Sequence, residues 1–418
     1  MGNPSKVIPL NPPIIHTMRR QGVAPPLLSI STEAWQPVSK DVQPSLFVDK
    51  CLDPAVEEDV AGLEMMRALD LQRRELVCPL SPIRDIVQPR HLEQLASYVG
   101  KVHALAIKPG LEDKVETSWT SPLAGKPNQH FRVKGLKNEA AMAASLLASS
   151  LQIYAHAQLK GSSSSQDQGS SQAASHPSAG SGQAHDHQQQ PQSEEGAACA
   201  AAALHFRQAA GVYEWLAEWT AQAGVEQPPN SKPAELSPDV ARTLAMVCCG
   251  LAQAVVSVRA EQRQSAPALL TSLYVGAWEL LEKAALQLKE LAGKGGSISE
   301  SLRRFLAITA GLCHARALCW WAEHQRVVET QAGRGEACCI KAASLLKQCE
   351  AAAQGSEWHG DVEREQSRVE AFRVKSEHER IGVFYQTIPK AAPELPASKV
   401  LARALPWTPE QPLSTSPS

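Results

Sequence analysis

The eighteen residues from Thr243 to Ala260, TLAMVCCGLAQAVVSVRA, carry one charge, Arg259, and apolar groups on nearly every face. A helix that is apolar all round has no solvent side, so it belongs inside a stack of other helices. Ser237-Pro238-Asp239 stands just ahead of it. Serine accepts from unpaired first-turn amides, proline fixes φ where no N–H is needed, and aspartate suits the positive end of the dipole. A second helix is predicted from Ser265-Ala266-Pro267 through Leu269, Leu270, Leu273, Trp278, Leu281 and Leu288, stopped by Gly293, Gly295 and Gly296. Each spans roughly 20 to 25 residues, or about 30 to 37 Å. Joined by a short polar link, the two form an antiparallel hairpin, the unit of a helical solenoid.

The rest of the chain reads as more of the same. Residues 1–25, with Pro4, Pro9, Pro12 and Pro13, form a disordered arm, and Leu27 to Ser31 is a short β-like run. A helix starts at Asp53-Pro54 and passes through Leu63, Met66, Leu69 and Leu76; Pro89 opens another, with Leu92, Leu95, Val99, Val102 and Leu105 on one stripe. KVETSWT and HFRVKGL alternate around a Pro/Gly/Asn-rich link, which predicts a β-hairpin over 114–134. An Ala/Leu-rich helix follows from Asn138 to Leu159. Residues 161–195 hold Ser, Gln, Gly, His and Ala with almost no apolar bulk, a disordered insert that cannot offset its own ordering entropy. Beyond the central hairpin, Ser297-Ile298-Ser299-Glu300 has capping-box spacing and opens a helix through Phe305 and Trp321. Residues 336–353 and 357–385 give two more, and from Ala391 a Pro-rich segment straps back along the stack before a tail at 406–418.

Composition excludes several functions. A net charge of −2 over 418 residues gives no whole-chain attraction for nucleic acid. The ten cysteines include adjacent pairs at Cys248-Cys249 and Cys338-Cys339 but no C-x-x-C or C-x-x-H spacing, so they read as core residues of a reduced compartment. His176, His185 and His187 sit in the low-complexity insert as a solvated tract, and no metal site is assigned. The N-terminus has no secretory h-region, and Gly2 lacks the Ser or Thr at position 6 that myristoylation wants, having Lys6 instead. No P-loop, zincin or nucleophile-elbow pattern is present. Cys313-His314 are neighbours on one helix and point apart, so no catalytic residue is assigned and no cofactor is expected.

LSPDVARTLAMVCCGLAQAVVSVRA followed by PALLTSLYVGAWELLEKAA resembles the core of the Bro-one domain family, which includes Alix, BROX and yeast vacuolar-sorting relatives. ALHFRQAAGVYEWLAEW resembles that family's entry helix, and EHERIGVFYQTIP its closing run, with Arg380 and Phe384 where the family usually has Asn and Tyr. The resemblance implies a mainly α fold, an elongated TPR-like helical solenoid with a small N-terminal β element, spanning 26–405. It further implies a non-enzymatic adaptor in endosomal and multivesicular-body sorting, cytoplasmic and recruited to endosomes, with peripheral membrane association. The partner implied is an ESCRT-III subunit, whose C-terminal amphipathic helix docks on Val256, Leu269 and Leu273. Val256 stands for a larger aromatic of the Alix branch, and alanine near Ala200 for a groove lysine. The long coiled coil and Pro-rich region that follow the domain in Alix are not in this sequence. Two alternatives remain: a scaffold of the same fold without ESCRT-III binding, and an enzyme using one of the cysteines.

Overall fold

The computed structural model describes Leu69 and residues 71–73, 88–107, 115–164, 193–222, 233–293 and 298–410. The N-terminal arm, the β-like run at 27–31, the start of the helix expected from 53, most of the insert and residues 411–418 lie outside the described residues. Helix α1 covers Pro89–Ala106; strands β1 and β2 cover Glu116–Ser121 and Lys126–Lys134; helix α2 covers Leu136–Ser164 and α3 covers Ser193–Gln222. Then come α4, Pro238–Gln262, α5, Pro267–Gly293, α6, Glu300–Val327, α7, Ala332–Ala353, and α8, His359–Glu379, which passes into a π turn at Arg380–Phe384. From α1 to α8 each helix packs against the next in chain order, the arrangement of a solenoid.

The central hairpin forms as its residues dictate. Ser237 caps α4, its hydroxyl accepting from the Val240 amide at 3.5 Å, and Pro238 takes the first helical position. Gln264 adopts a left-handed φ of 58°, and the Ser265 amide donates to the Ala260 carbonyl, which turns the chain sharply into α5. By length and composition α4 and α6 match membrane spans, yet 78% and 72% of those windows are buried inside the stack. They are core helices, and α4 is covered on both sides by α3 and α5.

The capping box expected at 297–300 opens on Ser297, which lies outside the described residues, and α6 begins at Glu300 with Ser299 as its N-cap. The Ser299 side chain makes no capping bond; its amide donates to the Leu123 carbonyl at 2.7 Å instead. The two strands pair antiparallel, with Trp119 opposite Phe131. The helices predicted from 336 and 357 begin at Ala332 and His359, and the second gives way to the π turn at Arg380.

Two buried polar clusters stitch the layers. In the first, Glu139 on α2 accepts from Arg73 Nε at 2.9 Å, Tyr98 Oη at 2.9 Å and Trp119 Nε1 at 2.7 Å. In the second, Arg316 on α6 holds Glu365 on α8 through three bonds of 2.9 to 3.0 Å and also reaches Tyr274 on α5. Tyr274 donates to Glu261 at 2.7 Å, and Glu261 also pairs with Arg368. Burial alone would raise the Glu261 carboxyl, but Arg368 and Arg316 hold it down to about 2. Arg380, the departure from the family pattern, pairs with Glu336 at 2.5 Å.

Candidate functional site

The segment after the π turn is the part of the fold that defines the site. It runs back across the helices in reverse order, held on backbone set against backbone. A Cβ built on Gly333 of α7 would lie 2.4 Å from the Thr387 carbonyl oxygen, and one on Gly276 of α5 2.9 Å from that of Lys399. On Gly211 of α3 it would lie 1.7 Å from Leu405 O, and on Gly100 of α1 2.2 Å from Glu410 O. Real Cβ atoms do not approach so closely, so these glycines form a furrow in which the strap is seated. Between α5 and α3 the strap advances six residues, from Lys399 to Leu405. Two helix spacings of about 8–10 Å need about 2.7–3.3 Å per residue over that length, so the chain there is drawn out nearly to its full reach.

Gln253 of α4 fastens the strap at its middle. It is fully buried, and its Nε2 donates to the Lys399 carbonyl at 3.0 Å and the Leu273 carbonyl at 3.2 Å. Its Oε1 accepts from the Leu401 amide at 2.8 Å and the Ala402 amide at 3.0 Å. The Lys399 amide donates to the Ser272 carbonyl, the Leu405 amide to the Arg207 carbonyl, and Arg207 Nε to the Arg403 carbonyl. Trp407 closes edge-on against Trp215 at 5.2 Å, and Trp215 stacks on Trp219.

These contacts identify one face of α3, α4 and α5. Residues three, four and seven apart share a helix face. Leu204 therefore shares that of Arg207 and Gly211, Val256 that of Gln253, and Leu269 that of Ser272, Leu273 and Gly276. The antiparallel packing of the start of α3 on the end of α4 is fixed by Cys199 lying 3.8 Å from the Gln262 amide oxygen. Leu204 and Leu269 are 43% and 37% exposed, and Val256 is half-buried. Leu273 is 2% exposed. Of the three residues expected to receive a partner, Val256 and Leu269 therefore reach the surface, while Leu273 lies beneath it, one turn behind Leu269. Ala200, half-buried, precedes Leu204 by one turn.

Sequence reasoning missed Leu204, Gln253 and the strap's own Val400 and Leu401, 39% and 52% exposed. Gln253 did leave a signal: it is the only amide side chain in the apolar run of α4. The face has a basic margin. Arg259 lies three residues and Arg263 seven beyond Val256, and Lys399 and Arg403 are exposed on the strap.

Nucleophilic chemistry finds no support in the described thiols. All of the described cysteines except Cys249 are buried, and none is in a disulfide. Burial pushes Cys313 up to about 12 and Cys349 up to about 11; burial, with Glu214 nearby, pushes Cys249 up to about 11. A thiol so placed is protonated at neutral pH and is a poor nucleophile. Among the described residues no group of three or more His, Cys, Asp or Glu could hold a metal ion.

Three solved structures share the architecture. A structure of ALIX in complex with the SIVmac239 PYKEVTEDL late domain matches with a TM-score of 0.64 at 16% identity, over 91% of this chain and 49% of that one. This chain thus spans about half of that ALIX chain. An ALIX BRO1–CHMP4C complex matches at 0.61 and 16% identity, over 89% and 94% of the two chains. A structure describing the basis for endosomal targeting by the Bro1 domain matches at 0.62 and 12% identity, over 90% and 93%. No curated protein matches the sequence. The model of the BRO1-like domain matches residues 57–417, the span that holds the helical stack, the glycine furrow and the strap, and the chain belongs to the BRO1-like domain family.

Proposed function

We propose that this protein is a non-enzymatic adaptor of endosomal and multivesicular-body sorting that binds the C-terminal amphipathic helix of an ESCRT-III subunit. It acts in the cytoplasm and on endosomal membranes to which it is recruited. The observation that carries the reading is the apolar strip of Leu204, Val256 and Leu269 on consecutive helices, beside the seated strap. Two further facts support it: the fold shared with an ALIX BRO1–CHMP4C complex and with a Bro1 domain studied for endosomal targeting.

The mechanism is helix-in-groove recognition. A partner helix lays its apolar stripe on Leu269 and Val256, with Leu273 as the floor one layer down. The basic margin of Arg259, Arg263 and Lys399 favours a helix with acidic flanks. Each well-buried anchor contributes about 1.5–3 kcal/mol before ordering costs. Leu269→Asp is expected to weaken binding of such a peptide at least tenfold, by calorimetry, with the helical circular dichroism unchanged because Leu269 is exposed. Leu273→Asp is the wrong probe, since it would bury a charge. Equal affinity for wild type and a folded Leu269→Asp would leave the second reading, a scaffold of this fold without ESCRT-III binding.

A further inference from the structure

We propose that the outer face of α8 and its π turn is a contact between two copies of this chain. The copies pair antiparallel about a two-fold axis that passes between Glu377 and His378. The proposal is independent of the docking reading above and concerns the opposite end of the stack.

α8 packs mainly on α7 and less on α6, and among the described residues no further helix packs closely on it. On its open side Val374, Glu377, His378, Ile381 and Gly382 line one shallow cleft. Their spacing of three and four residues is that of a single helix face. The other exposed residues of α8, Glu363, Arg364, Ser367, Glu370 and His378, are polar or charged. Val374 and Ile381 break that pattern at 50% and 54% exposed. A Cβ on Gly382 would meet nothing within 4 Å, which leaves room for a neighbouring chain to come close.

The order of these residues specifies the occupant. Turned over on itself, the face sets Val374 against Ile381 of the second copy and Glu377 against His378 of the second copy, each contact made twice. Apolar meets apolar and carboxylate meets imidazole, the self-complementarity that an isologous interface requires. Sliding one copy by a turn would set Val374 on Glu377 or His378 on Ile381, so one register is favoured over its neighbours. The surrounding charges are already matched within each copy. Arg373 donates to Glu370 at 2.8 Å and to Glu377 at 3.1 Å, Arg326 pairs with Glu379, and Arg380 pairs with Glu336. Glu377 nonetheless stays 38% exposed beside Arg373. The contact spans about two to three turns of each helix, which places it in the weak, transient class of association.

The test is sedimentation equilibrium of the full chain over a concentration series, with the variants Val374→Glu, Ile381→Lys, His378→Glu and Glu377→Lys/His378→Glu. Helical circular dichroism is followed alongside. Wild type should show a reversible monomer–dimer equilibrium. Val374→Glu and Ile381→Lys should each weaken it roughly tenfold or more, because each sets a charge on an aliphatic side chain. Mixed in equal amounts, these two variants should dimerise again, one chain of each. The introduced carboxylate then faces the introduced ammonium, and the second Val374–Ile381 contact is intact. His378→Glu sets like charges together twice and should weaken the dimer, and adding Glu377→Lys should restore it. Wild type that stays monomeric at its highest soluble concentration, or a dimer indifferent to Val374→Glu and Ile381→Lys, would overturn the proposal. So would a mixture that remains monomeric, or a His378→Glu dimer as tight as wild type. Should Val374→Glu lose helicity, the reversed pair of Val374→Lys with Ile381→Glu makes the same test.

Discussion

Glu139 and Glu235 are both buried glutamates, and their surroundings send them in opposite directions. Burial would raise Glu139, but the Arg73 guanidinium and the Trp119, Thr117 and Arg73 hydrogen bonds overrule it and hold the carboxyl below its usual range. Glu235 has only neutral donors, the Ser121 hydroxyl at 2.5 Å and the Leu123 amide at 3.2 Å, and burial pushes it up to about 7. Below the unfolded value of 4.5 both states of Glu235 hold the proton; between there and 7 only the folded state does. Its contribution is therefore complete in acid and is lost as pH rises through 7, whereas that of Glu139 is lost as pH falls. Glu235→Gln removes the first slope. Between pH 5 and pH 8 its stability relative to wild type should rise by about 2–3 kcal/mol, measured by urea unfolding at each pH. A parallel profile for the two proteins would show that Glu235 does not titrate in this range.

At the scale of elements the furrow makes an unusual prediction about glycine. In an isolated helix Gly→Ala gains about 1 kcal/mol. At Gly211 the new methyl would meet the Leu405 carbonyl, so with the strap seated the substitution should instead cost about 1–3 kcal/mol. It should also make residues 400–410 quicker to cleave under limited proteolysis. In a chain ending at Lys390 the sign should reverse, to a small stabilisation, by thermal unfolding of the pair. This contrast also explains what could be read in advance. The α4–α5 hairpin was legible because Ser237, Pro238 and the apolar run act locally, through capping and burial. The return of the Pro-rich segment was legible as a tendency, but its seat was not. Gly100, Gly211, Gly276 and Gly333 contact it main chain to main chain, and such contacts leave no side-chain pattern. Of the proposed site, Val256 and Leu269 came from resemblance, and Leu204 emerged only once the strap marked out the face it shares. The burial of Leu273 under its neighbours was equally invisible, because periodicity marks a face and not how deeply each residue on it lies.

Over the whole molecule the buried network of Arg316, Glu365, Tyr274, Glu261 and Arg368 joins α4, α5, α6 and α8, while the strap reaches from α7 to α1. A solenoid whose layers touched only their neighbours would unfold in pieces. Here distant layers share ties, so the described stack should melt as one transition, with fluorescence of the Trp215 cluster and far-ultraviolet dichroism coincident. Ending the chain at Lys390 should lower the midpoint and separate the two signals.

Translation gives the furrow a further meaning. Residues 387–410 are made after every helix on which they lie, so for the time the ribosome needs to add them the growing chain shows a stripe of bare main chain and unsheathed Trp215. Nascent chains in that interval are the ones for which chaperones and stray strands compete, and the hazard ends when the chain closes its own seam.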